Sequence, residues 1–265
     1  MTSEPLPIQS IITDDGSLTC RHPVYGEPYH ALQGARTEAE SKFILPSRLA
    51  ERLRQGPLRL LDVGFGLGVN CRAAAQTARQ TGGHILSVDT VEADPDAWLR
   101  ARTLYPECRL TRELTETGRY QDHFVQVTRH DGDLRQGLTH MEGPWDVVFH
   151  DPFSPLKNTE CWTLDLFRLF FQKLSPDGLL LTYSESAAVR AGLLQAGFLI
   201  GTSPAVPPHR GGTLAARAPH QLTHPLDPSP FQIFPKNVPF RDQALADSGH
   251  SIRARREASV RSAVQ

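Results

Sequence analysis

Cysteine is scarce in this 265-residue chain, and its four thiols, Cys20, Cys71, Cys108 and Cys161, never form a C-x-x-C pair. That spacing excludes a zinc ribbon and a disulfide framework, so the expectation is buried free thiols and no metal. Long apolar runs are missing as well: none approaches the roughly eighteen residues of a membrane span. The N-terminus MTSEPLPIQS has neither a basic region nor an apolar one, so no leader or membrane partner is expected and the protein reads as cytoplasmic. There is no basic excess either. The formal net charge is -1, whereas nucleic-acid-binding domains usually carry a clear positive balance.

What is present is unevenly distributed. From Ala205 to Gln265 eight Lys or Arg face four acids, a net of +4 that leaves -5 for the rest. Such a tail either steers a polyanion or is a solvated extension. With 39% apolar residues the chain has enough to bury a substantial core.

Strand signals at Leu58–Val63, His84–Val91, Phe124–Arg129, Trp145–His150, Gly178–Tyr183, Phe198–Gly201 and Thr213–Ala218 alternate with helical ones at Val69–Thr81, Pro95–Tyr105, Thr163–Leu174 and Ser186–Ala196. This alternation predicts an α/β fold with a largely parallel sheet covered on both faces. Ser10 to Arg21 reads as a β-hairpin, and LPSRLAERLRQ, from Leu45, as a helix ending at Gly56. The expected organisation is an N-terminal extension over 1–57, a core over 58–218 and a proline-rich, basic tail over 219–265. In that tail the prolines from Pro219 to Pro239 predict a wrapping loop or a linker, and Asp242 to Val264 a short basic helix with no apolar repeat that demands packing.

The most telling stretch is LRLLDVGFGLGVN, residues 58–70, a buried strand feeding Gly64, Gly66 and Gly68. A dinucleotide fingerprint would place its third glycine where Val69 stands. G-x-G-x-G is the commoner form in S-adenosylmethionine (SAM) sites, although a plain strand-to-helix turn uses the same residues. In a parallel sheet, ligands bind beyond the carboxyl ends of the strands. After the second strand that rule selects Asp89, Glu92 and Asp94 as candidates for ribose hydroxyls, and spacing does not choose among them. After the third it selects Asp133, which is equally suited to cap a helix. After the fourth it selects Asp151, in the rigid loop HDPFSP, with Phe153 offering a flat face and Trp162 a wall against solvent. A carboxylate there can orient an ammonium group and take its proton.

GFGLGVN (64–70), VEADP (91–95), GDL (132–134), DVVFHDPFSPLKNTECWTLDLF (146–167) and RGGTLAA (210–216) closely resemble the methyltransferase half of the bifunctional MnmC family, as does YHALQGARTEAESKFI (29–44). The most specific part is D-x-F-x-P-x-K-N followed by W-T. The resemblance implies a class I, Rossmann-like, seven-stranded SAM-dependent methyltransferase. It implies methyl transfer to the amine of 5-aminomethyl-(2-thio)uridine 34 in tRNA. On matching positions Glu38, Gly64, Phe65, Gly66, Gly68, Asn70, Glu92 and Asp133 would hold SAM. Asp151 would meet the substrate amine, and Phe153, Lys157, Asn158 and Trp162 would shape the uridine pocket.

Pro152, Leu67 and Ala31 depart from the Gly or Ala, Thr and Ser usual in the family. No oxidoreductase half is expected, so the resemblance implies a stand-alone enzyme whose aminomethyl substrate comes from a separate protein. The readings set against it are a methyl- or aminopropyltransferase for a small amine, and a noncatalytic RNA-binding protein of the same fold.

Overall fold

The computed structural model describes residues 8–203, 211–232 and 237–262. Among these, strands β1 (Ile11–Ile12) and β2 (Leu18–Thr19) pair antiparallel as the expected hairpin. The remaining strands are β3 (Leu58–Val63), β4 (Leu86–Glu92), β5 (Arg119–Gln121), β6 (Val125–Asp131), β7 (Trp145–His150), β8 (Leu174–Thr182), β9 (Leu199–Thr202) and β10 (Thr213–Ala216). They form one sheet in the order β5-β6-β4-β3-β7-β8-β10-β9. β6, β4, β3, β7 and β8 are mutually parallel, while β5 and β10 run against them.

The α/β, mostly parallel architecture is therefore as expected, but the sheet has eight strands among the described residues rather than seven. The addition is β5, three residues pairing at the edge with β6. It is too short, and too polar in Arg119 and Gln121, to leave a periodic signal.

Alternate side chains of the central strands pack on opposite faces. Leu60, Val147 and Phe149 meet Phe43, Leu49, Ala74 and Trp98 on one side. Leu61, Val63 and Val148 meet Trp162, Phe167, Phe170 and Val189 on the other. Burial on both faces is why these strands read as continuous apolar runs.

The helix expected from Leu45 is broken at Arg48, whose φ of 53° is left-handed, giving segments Leu45–Ser47 and Leu49–Gln55. A helix Ala35–Ala39 that continues as a wider π turn to Ile44, and a helix Arg109–Thr117, were not anticipated. The first lacks a side-chain N-cap, and the second buries only Leu110, Thr111 and Leu114.

The described part of the proline-rich stretch wraps the body: Pro225 bridges Gly201, Phe240 bridges Thr163, and Val238 and Phe240 are buried. Pro235, Lys236 and Arg210 lie outside the described residues. The last helix spans Gly249–Ser262, and Ile252 is fully buried in the second core, so a single apolar residue anchors an otherwise polar helix. All four cysteines are free; Cys20 and Cys71 are buried, Cys108 and Cys161 partly so. No helix among the described residues is long and apolar enough to cross a membrane.

One core residue sets a pH dependence. His150, the last residue of β7, is fully buried among Trp162, Phe167 and Phe170. Burial lowers its pKa to about 3 from the ordinary 6.5. Since the unfolded chain binds the proton first, this neutral imidazole contributes stability above pH 6.5 that is lost as pH falls toward 3. His150→Phe should therefore gain about 2 kcal/mol on wild type between pH 8 and pH 5, read from urea denaturation at both values. An identical pH response of the two proteins would refute this.

Candidate active site

Four strands of the parallel core deliver their carboxyl-terminal loops to one cavity of about 850 Å³. It is lined by Gly64 and Gly66 after β3, Glu92 and Asp94 at β4, Gly132 and Asp133 after β6, and Asp151, Phe153 and Asn158 after β7. β3 is flanked by β4 on one side and β7 on the other, so the cavity lies where the order of the strands reverses, the usual ligand position in such sheets.

The glycines are needed for shape. Gly64 and Gly66 have φ of 81° and 53°. A Cβ on Gly64 would stand 2.9 Å from the Asp151 carbonyl oxygen, and one on Gly66 would stand 3.0 Å from the Tyr29 ring. Bare backbone thus faces the cavity where a bound molecule must approach closely.

Gly66 N–H donates to Glu92 Oε2 at 2.8 Å, and Asp94 N–H to Glu92 Oε1 at 2.8 Å. Burial raises the Glu92 pKa against these donors. Each carboxylate oxygen keeps a free lone pair for a hydroxyl. Asp94 caps the next helix through Asp96 N–H and pairs with Arg100 and His22. Asp89 accepts from Trp145 and His130 lower on the sheet and does not line the cavity.

Asp133 does both things its position allowed: it caps the helix Leu134–His140 through Arg135 N–H and also lines the cavity. Its carboxylate holds Arg135 at 2.6 Å, and Arg135 reaches on to the fully buried Asp242 at 2.6 Å.

Asp151 sits at the cavity floor. Its backbone N–H bonds Val63 at 3.0 Å, and Asn70 Nδ2 donates to its Oδ2 at 2.7 Å. Burial, then the negative charge of Glu38, pushes its pKa well above the ordinary carboxylate value; the Asn70 hydrogen bond and Lys42 oppose this. Glu38 lines the cavity and accepts from Ala31 N–H at 2.9 Å. Lys42, one turn further on, is buried and donates to the Gly211 carbonyl at 2.6 Å.

Not every anticipated residue reaches the cavity. Phe65 stacks on Trp98 with ring centroids 4.1 Å apart, and Gly68 leaves room for the Phe65 ring, so both support the turn from behind. Asn70 acts on Asp151. Trp162 is fully buried and donates from Nε1 to the Phe153 carbonyl at 2.8 Å, fixing the loop. Lys157 is exposed on the outer side of that loop, away from the lining.

Sequence reasoning missed an aromatic wall. His22, Tyr25, Tyr29 and Phe153 form a cluster with ring centroids 4.5–5.5 Å apart. These side chains come from segments more than a hundred positions apart, so no local pattern announces them. Ser154 Oγ donates to Glu27 Oε1 at 2.8 Å, tying the N-terminal loop to the β7 loop. Tyr183, just beyond β8, also lines the cavity and donates to the Pro152 carbonyl at 3.0 Å. The strand-end rule that selected Asp151 applies equally to it.

Comparison with known proteins completes the description. A family model described as S-adenosyl-L-methionine-dependent methyltransferase matches residues 101–218. The crystal structure of MnmC2 from Aquifex aeolicus is 31% identical and superposes with a TM-score of 0.81, covering 98% of this chain and 87% of that one. The tRNA 5-methylaminomethyl-2-thiouridine biosynthesis bifunctional protein MnmC of Azoarcus sp. is 27% identical over 215 residues, which are 75% of this chain and 34% of that protein. The chain thus spans about a third of the length of such bifunctional relatives. An uncharacterized protein of Methanocaldococcus jannaschii, MJ0670, is 26% identical over 247 residues, covering 88% of this chain and 67% of its own.

Proposed function

The chain belongs to the MnmC2 family of SAM-dependent methyltransferases, and from that premise we propose that it methylates the primary amine of 5-aminomethyl-(2-thio)uridine at the wobble position of tRNA. The observation carrying this reading is a carboxylate, Asp151, held by Asn70 in a cavity that the adjoining glycine turn and Glu92 also line.

The residues fit the cofactor. The cavity is of the size that takes a drug-sized ligand. Bare backbone at Gly64 and Gly66 admits close approach, and two acids lining the same cavity, Glu92 and Asp133, are acceptors suited to ribose hydroxyls and an adenine amino group. Glu38 is suited to the amino end, being near Asp151. When bound, SAM supplies an electrophilic methyl group.

The chain's own task is the amine. An alkylamine with a pKa of about 10.4 is neutral for roughly one part in a thousand at pH 7. Asp151 accepts a hydrogen bond from the ammonium and orients it. The same burial that raises the carboxyl pKa disfavours the ammonium, so the gap between the two proton affinities narrows and transfer to Asp151 becomes feasible. Phe153, Tyr25 and Tyr183 exclude water around that proton, and Asn158 faces the same space.

A tRNA substrate places the reaction in the cytoplasm, and a separate enzyme would supply the aminomethyl group. Incubation with SAM and tRNA bearing 5-aminomethyl-2-thiouridine, followed by nucleoside mass spectrometry, should reveal a gain of one methyl on that nucleoside. Transfer to free polyamines but not to tRNA would overturn the proposal in favour of a small-amine enzyme.

A further inference from the structure

Lys157 and the last helix have no place in the cavity, yet they meet at its rim. Lys157 is exposed and lies between Ser154 and Asn158, both of which line the cavity. Arg253, on the helix Gly249–Ser262, donates to the Leu156 carbonyl at 3.0 Å and to Thr159 Oγ1 at 2.8 Å, so the helix braces the loop that carries Lys157.

The helix has four arginines, Arg253, Arg255, Arg256 and Arg261, against one acid, Glu257, a net of +3. Arg253 and Arg256 donate to neutral oxygens, the latter to the Val238 carbonyl at 2.6 Å. Only Arg255 is paired with a carboxylate, Asp247 at 2.6 Å, among the described residues. Lys157 and Arg261 make no ion pair among those residues.

A positive helix on a chain of net charge -1 concentrates attraction for a polyanion at one edge of the mouth. Its position is fixed: Arg135 donates to the Asp247 carbonyl at 2.8 Å and holds Asp242 and Asp133 as well, linking the helix to the cavity wall.

We infer that Lys157 and the outer face of the helix Gly249–Ser262 form the docking surface for the phosphate backbone of an RNA strand whose base enters the cavity. The inference rests on the proposed tRNA substrate and adds where the RNA lies. Phosphates taken up by fixed cations orient a strand without reading its bases. The bases are then read only in the pocket.

The test uses the full chain, wild type and the double variant Lys157→Gln/Arg261→Gln, with a tRNA anticodon stem-loop as probe. The slope of log affinity against log salt concentration should fall in magnitude by about 1.5 in the variant, from two lost phosphate contacts. SAM affinity by calorimetry should stay at the wild-type value, which verifies that the variant is folded. An unchanged slope with intact SAM binding overturns the docking surface while leaving the methylation proposal standing. Should the wild type methylate no tRNA, the function falls; stem-loop binding whose salt slope is shallower in the variant than in the wild type would still support this surface.

Discussion

Asp151→Asn is expected to lower the single-turnover rate of methyl transfer to tRNA by about 10²- to 10⁴-fold, the range associated with loss of a positioned acid–base group. The substitution keeps the shape of the side chain and a hydrogen-bonding partner for Asn70, so the cavity should survive it. What disappears is the acceptor for the amine proton.

Two further readouts distinguish this from damage to the fold. In wild type the rate should rise with pH as Asp151 ionises, above the ordinary carboxylate range because burial raises its pKa; the variant should lose that limb. Stability should move the opposite way to activity. A carboxyl whose folded pKa exceeds its unfolded value opposes folding most strongly above the folded pKa, and this opposition fades as pH falls. The variant should therefore melt higher than wild type at pH 8 and by a smaller margin at pH 5. Retention of a third or more of the wild-type rate, as an order-of-magnitude threshold, would remove Asp151 from the reaction.

Asp242→Ala should produce the largest loss of stability. Asp242 is fully buried, and its carboxylate accepts from Arg135 at 2.6 Å and from the N–H groups of Ala246 and Asp247 at 3.2 and 3.1 Å. Removing it takes one charge-assisted partner from the largely buried Arg135, which keeps Asp133 and the Asp247 carbonyl, and leaves two backbone donors without an acceptor. Losing that hydrogen bond and leaving the two donors unsatisfied costs about 2–4 kcal/mol, which for a chain of this size lowers the melting temperature by on the order of 10 °C. Differential scanning calorimetry at pH 7 measures it directly. A drop smaller than roughly 2 °C would mean that water replaces the carboxylate and that the C-terminal segment is not integral to the fold.

Legibility followed locality. β3, the helix Val69–Thr81 and β7 were readable to the residue because each combines a buried run with a glycine or proline boundary. Asp151 was readable because a strand end and a rigid loop mark it in consecutive letters. Asp133 was ambiguous for a physical reason: one carboxylate can cap a helix and face a cavity at once, and it does both. Lys157, expected at the uridine pocket, is exposed and absent from the cavity lining, because adjacency in sequence says nothing about which side of a loop a residue faces. Arg48 gave no warning of its left-handed turn, since glycine is the residue that announces one. Tyr25 and Tyr29 were invisible because the wall they form with Phe153 exists only after two distant segments have folded together, whereas Tyr183 stands at a strand end that the same rule reaches.

The Glu27–Ser154 hydrogen bond has a consequence for exchange of small molecules. A single partly buried bond to a carboxylate is worth about 1.5–3 kcal/mol, so its loss loosens the tie between the two loops by about 10- to 150-fold while the contacts of Phe153 with His22, Tyr25 and Tyr29 remain. Residence times of whatever enters are then governed by its own grip on the walls, and Glu27→Gln should shorten them modestly rather than abolish retention.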